Sequence, residues 1–145
     1  MIDTIEKTIL KKLSSIFKEY EIDSFPVDFE QFVFTSPKGC LLLRYENHSV
    51  SEQTTLNAVN ANKTYNFTLF AAVRYARKHT DCYQLLTDLE RTLNGLTVLN
   101  KRISVKNGKF ETEINGDLWY SFQINITLPL KDEYSDLSEA AKIIA

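Results

Sequence analysis

Between Trp119 and Leu128 the chain alternates without a break. Tyr120, Phe122, Ile124, Ile126 and Leu128 occupy one register, and Trp119, Ser121, Gln123, Asn125 and Thr127 the other. Successive side chains of a strand point to opposite faces, so this run presents one strongly apolar face to a core. A second run does the same: Tyr65, Phe67, Leu69, Ala71, Val73 and Tyr75 alternate with Asn66, Thr68, Phe70, Ala72 and Arg74. Two long one-sided strands require a sheet that is covered on one face. That is the habit of antiparallel sheets, since strands buried on both faces read as continuous apolar runs.

The cover is legible in two amphipathic stretches. Ile5, Ile9, Leu13, Ile16, Phe17 and Tyr20 recur at helical spacing, with Asp3-Thr4-Ile5-Glu6 as a capping box, and predict a helix over about 4–20. Cys82, Leu85, Leu86, Leu89 and Leu93 form the stripe of a second helix, capped by Asp81 and ended by Gly95. Phe25-Pro26 stops the first helix, and Asp28 opens a short turn carrying Phe29, Phe32 and Val33. Ser36-Pro37-Lys38-Gly39 is turn chemistry before a short apolar strand, Cys40 to Tyr45. Residues 47–61 are polar and nonperiodic and read as a long loop. Ile103 and Val105 lead into Asn107-Gly108, a hairpin signal; Phe110 and Ile114 follow on a return strand, and Asn115-Gly116 is a second such turn. The expected fold is therefore α+β: a mostly antiparallel sheet of about five strands, three of them hairpin-linked, with two main helices packed on one face. Residues 1–130 form one domain. Residues 131–145 form a tail in which Leu137, Ala140, Ala141, Ile143 and Ile144 cluster at helical spacing.

Composition narrows the function. Seventeen Lys and Arg against nineteen Asp and Glu give a net charge of −2, without the basic bias of a dedicated nucleic-acid binder. No apolar run reaches the ~20 residues of a membrane span. The amphipathic, charge-interrupted start does not read as a signal peptide, so Cys40 and Cys82 are expected as reduced thiols of a cytosolic protein.

No catalytic constellation stands out. Cys40 and His48 can be drawn as a nucleophile pair, but both cysteines lie on apolar stripes, where Cys acts as a small hydrophobe. Glu111 and Glu113 are two apart on a strand and read as one solvated face. Metal-ligand spacings and phosphate-binding glycine loops are missing, so neither a cofactor nor an enzyme is expected. The basic cluster Arg74, Arg77, Lys78 reads first as a solvated strand end; its functional alternative is a channel- or DNA-facing patch, contacting DNA only transiently. Tyr65, Phe67, Tyr120 and Phe122 either fill the core or line an apolar ligand pocket, with the core favoured.

The order of elements resembles the tail terminator (tail-completion) proteins of long-tailed bacteriophages, in particular the family of Mu-like phages and prophages. The resemblance rests on the opening helix IDTIEKTILKKLSSIF, the strand SPKGCLLLRYE, the strand–helix pair NFTLFAAVRYAR and DCYQLLTDLERTLNG, and the closing segment NGKFETEINGDLWYSFQINITLPL. It spans residues 2–130 and is a pattern of elements rather than a motif. It implies a non-enzymatic virion protein, assembled in the host cytoplasm, that forms a homo-oligomeric ring, expected to be hexameric. That ring would sit on the tail tube, stop its growth and present a surface to a head–tail connector protein. The candidate assembly surfaces are Asn47, Glu52, Gln53, Leu56 and Asn60 in the polar stretch, and Leu137, Ile143 and Ile144 in the tail. Other phage connector or baseplate-associated subunits, and a small intracellular ligand-binding domain, are the competing expectations.

Overall fold

A computed structural model describes residues 1–51 and 61–129. The first helix, α1 (Ile2–Ile16), is followed by β1 (Glu21–Ser24), β2 (Gly39–Val50) and β3 (Asn62–Val73). Then come α2 (Tyr83–Asn94), a small hairpin of β4 (Thr97–Val98) and β5 (Lys101–Arg102), and the long strands β6 (Ser104–Ile114) and β7 (Asp117–Pro129). The main sheet has the order β1-β2-β3-β7-β6 and is antiparallel except for the parallel β1–β2 pair. The α+β architecture expected from the alternation is thus the one observed.

Both helices pack on one face. Ile5, Ile9 and Leu13 of α1 and Leu85, Leu89 and Leu93 of α2 join Leu41, Leu43, Tyr65, Phe67, Leu69, Tyr120, Phe122, Ile124, Ile126 and Leu128 in a single buried cluster. Each large side chain so buried contributes about 1.5–3 kcal/mol, which is what holds two short helices that would not persist alone. Tyr65, Phe67, Tyr120 and Phe122 are at most 6% exposed and belong to that cluster, so they are core residues.

Several local expectations are corrected. Helix α1 ends at Ile16, four residues early, because Phe17 turns inward and the chain re-enters the sheet as β1. Asp3 does not cap that helix; it pairs with Lys7 at 3.1 Å. Asp81 is not the cap residue either. Its carboxylate reaches back to accept the backbone N–H groups of Arg77 and Lys78, at 3.0 and 3.2 Å, holding a 3₁₀ turn (His79–Cys82) that leads into α2. Tyr75 lies beyond β3, in a turn with φ 62, and is 81% exposed. Residues 47–50, expected in a loop, continue β2 after a bulge at Tyr45/Asn47; the rest of that stretch, 52–60, lies outside the described residues.

Asn107-Gly108 is not a hairpin turn. Strand β6 runs straight through it as a β-bulge, with Asn107 at φ 56. The ring of Phe122 lies over Gly108, where an added Cβ would come within 2.8 Å of it, and Asn107 Nδ2 donates to Gln123 Oε1 at 2.6 Å. The second expected turn, Asn115-Gly116, does form a hairpin, with φ 53 and 88, as a two-residue turn of the primed type requires. The three hairpin-linked strands of the sequence reading are accordingly two.

Candidate functional site

The second face of the sheet, opposite the helices, is divided. Its β1 end is covered by the crossover 25–38, whose four phenylalanines lie across β2, β3 and β7. Phe34, Cys40, Leu42, Ala72 and Trp119 are buried there, with Phe25, Phe29, Phe32 and Phe70 packed against them. Phe29 and Phe34 meet Trp119 edge-on at 5.2 and 6.3 Å, the offset geometry aromatic rings prefer. The alternation of β3 and β7 gives this face mainly polar residues, Asn66, Thr68, Ser121, Gln123, Asn125 and Thr127. Four phenylalanines within ten residues were the available signal, because such a segment cannot remain in water.

Arg74 fastens the crossover. Its guanidinium donates to Phe34 O at 2.8 Å and Ser36 O at 3.1 Å, lies 3.9 Å from the Phe34 ring centre and 3.9 Å from Asp117. Arg74 therefore does not belong to an open basic patch. Arg77 and Lys78 remain exposed beside it.

Where the crossover meets the β6–β7 turn, an open groove of about 530 Å³ is lined by Phe29, Phe32, Val33, Tyr75, Ile114 and Trp119, with Glu30, Arg74 and Asp117 at its polar margin. Val33 is 79% exposed, Tyr75 81% and Ile114 37%. A bulky aromatic at positive φ is strained by about 1–3 kcal/mol, so the turn displays Tyr75 at a cost.

The uncovered end of the face is a polar plate with a shallow depression of about 660 Å³. Arg44, Lys106 and Lys109 are interleaved there with Glu46, Glu111 and several amides. Most of the groups satisfy one another. Asn66 Nδ2 donates to Asn47 Oδ1 at 2.7 Å, Ser121 Oγ to Glu111 Oε1 at 2.6 Å, and Arg44 Nε to Glu46 at 2.6 Å. Asn47, a candidate assembly residue, belongs to this plate. Glu111 and Glu113 do not share a face: a bulge between Phe110 and Thr112 leaves Glu111 on the plate, while Glu113 bonds the Gly116 N–H at the turn. The other candidate assembly residues, Glu52, Gln53, Leu56, Asn60, Leu137, Ile143 and Ile144, lie outside the described residues.

The cysteines are placed as core residues. Cys40 is fully buried, and burial pushes its thiol up to about 12. Cys82 is also fully buried; burial raises its thiol, which hydrogen-bonds the Tyr120 hydroxyl. Tyr120, likewise pushed up to about 12 by burial, also bonds His79 Nδ1. The thiolate is the nucleophilic form, so both thiols are inert near neutral pH. Cys40 and His48 stand eight residues apart along β2, about 25 Å, and do not form a pair. Among the described residues no cluster of His, Cys, Asp or Glu could hold a metal ion, and no helix is long and apolar enough to cross a membrane.

The arrangement can therefore offer surfaces: an apolar groove beside a mixed-charge plate, on a sheet braced from behind by two helices. Comparison with known proteins finds no matching family and no matching curated protein.

Proposed function

We propose that this chain is a structural subunit of a phage tail, a terminator that assembles as a ring on the end of the tail tube, halts tube growth and receives the head–tail connector. The observation that supports this reading is the division of the second sheet face. A closed ring needs a heterologous contact between two different patches of one subunit, and a terminator needs a further surface for the tube. An exposed apolar groove suits a lasting subunit contact. A hydrogen-bonded plate of mixed charge suits docking to a different protein, where polar complementarity sets register. Function then lies in surfaces, and the inert thiols are consistent with it. Arg77 and Lys78 are the basic groups available to line a channel, and DNA would pass them without being held.

The test is polymerisation of the cognate tail tube protein with and without this chain, read by negative-stain electron microscopy. Expected are rings on one tube end and a tube length that stops increasing once rings match tube ends. Rings that bind tubes without limiting their length would move the protein to another connector role. A protein that neither forms rings nor binds tubes overturns the reading.

A further inference from the structure

We infer that the groove between the crossover and the β6–β7 turn receives the C-terminal segment 137–144 of a neighbouring copy of this chain. The inference rests on the self-assembly part of the function proposed above and is independent of the tail-tube role.

The groove has the character of a helix receptor. It is floored by Phe29, Phe32 and Trp119 and flanked by the exposed Val33, Tyr75 and Ile114. Tyr75 is presented there by a backbone at φ 62. The C-terminal segment has the matching pattern: Leu137, Ala140, Ala141 and Ile144 recur at i, i+3, i+4 and i+7, the anchor spacing of a helix laid in an apolar groove. Two of the four anchors are alanine, which lets a helix approach closely.

Reach decides whose tail it is. The groove lies at the Asp117 end of β7, and the chain leaves the sheet at the Pro129 end, a strand length of about 40 Å away. Residues 130–136 span at most about 25 Å when fully extended. Leu137, the first anchor of the stripe, thus stands no more than about 28 Å from Pro129, short of Trp119 on the groove floor, ten residues or about 33 Å along the strand. A chain's own tail therefore falls short of setting its apolar stripe into its own groove, while a neighbour's tail carries no such restriction. Tail in groove, passed from each copy to the next, is a heterologous contact, the kind that closes rings.

The experiment is site-directed cross-linking of full-length chains with a short bis-maleimide. Cys40 and Cys82 are fully buried and stay silent, and Val33 is exposed enough to accept substitution. A Val33→Cys chain is mixed with an Ile144→Cys chain, and separately with a Lys11→Cys chain as the collision control. Lys11 is exposed on α1, on the other side of the sheet. Expected is a covalent dimer from the Val33→Cys and Ile144→Cys mixture at least tenfold above the control, and a ladder of oligomers from the V33C/I144C double variant. A dimer yield at the control level, or a double variant that closes within single chains, overturns the inference. Sedimentation of the same samples separates the failures. Rings without the cross-link reject the tail contact and leave the terminator reading to the tube-length test; monomers at every concentration reject self-assembly itself.

Discussion

Gly39→Ala is the sharpest test of how β2 enters the sheet. Gly39 stands at φ +152, and a Cβ built on it would lie 1.9 Å from the carbonyl oxygen of Ala72 and 3.2 Å from the Tyr20 ring. That oxygen belongs to the neighbouring strand and cannot rotate away as a side chain would. Relief requires the strands to part by more than 1 Å, at a place where Gly39 pairs with Val73 and Arg74 N–H donates to Lys38 O at 2.9 Å. Losing about two backbone hydrogen bonds at ~1 kcal/mol each, and adding a backbone conformation strained by about 1–3 kcal/mol, gives an expected loss of roughly 3–5 kcal/mol. Gly95→Ala is the control. Its backbone is at φ −89 and the new Cβ would sit 3.7 Å from its nearest neighbour, so the expected change is under about 1 kcal/mol. Urea unfolding followed by circular dichroism, at one fixed protein concentration so that mass action is the same for both variants, measures both. A Gly39→Ala loss no larger than that of Gly95→Ala would refute the register of β2 against β3.

Leu89→Ala, at a fully buried position under α2, should cost about 2–5 kcal/mol by the same assay; a loss below half a unit would mean that α2 does not cover the sheet. Arg74→Met keeps the stem but removes two hydrogen bonds to the crossover and leaves Asp117 without its cation, for an expected loss of about 2–4 kcal/mol, with Trp119 fluorescence shifting as the phenylalanines loosen. Alkaline pH should destabilise the fold. Unfolded Cys40 ionises from its ordinary value of 9.0 while the folded thiol holds its proton to about 12, so stability is intact below pH 9 and falls through that window by at most ~1.4 kcal/mol per pH unit from this one group. In chemical denaturation at stepped pH, Cys40→Val should remove part of that slope; an unchanged slope would show that Cys40 is not the group responsible.

The sequence carried the two long strands and both helices because each is a single-period pattern against one core. It lost β1 because Glu21–Ser24 is too short to alternate, and because its parallel partner is β2, across a crossover that no local pattern announces. It lost the end of β2 because residues 46–50 are exposed there, so a strand wrote itself in loop-like letters. Asn107-Gly108 misled for a different reason: a dipeptide suited to positive φ serves a bulge as readily as a turn. What selects the bulge is a non-local contact, the Phe122 ring over Gly108. The groove was half visible. Phe29, Phe32 and Val33 share one turn signal, but Tyr75 and Ile114 end alternating runs elsewhere in the chain, and only the fold brings the three segments together. The polar plate was not legible, since it is assembled from alternate residues of four strands.

The ion pair between Arg74 and Asp117 joins the end of β3 to the start of β7, and everything from Tyr75 to Gly116 is an excursion whose two ends meet there. The central ladder, β3 against β7, therefore cannot form until a long segment containing α2 and β6 has been drawn into a closed loop. Such a closure is paid for before its contacts accumulate, so it falls on the rate of folding more than on final stability. Chains held at the stage before closure expose the unpaired edges of two long apolar strands. That interval, rather than the finished fold, is where aggregation competes with folding.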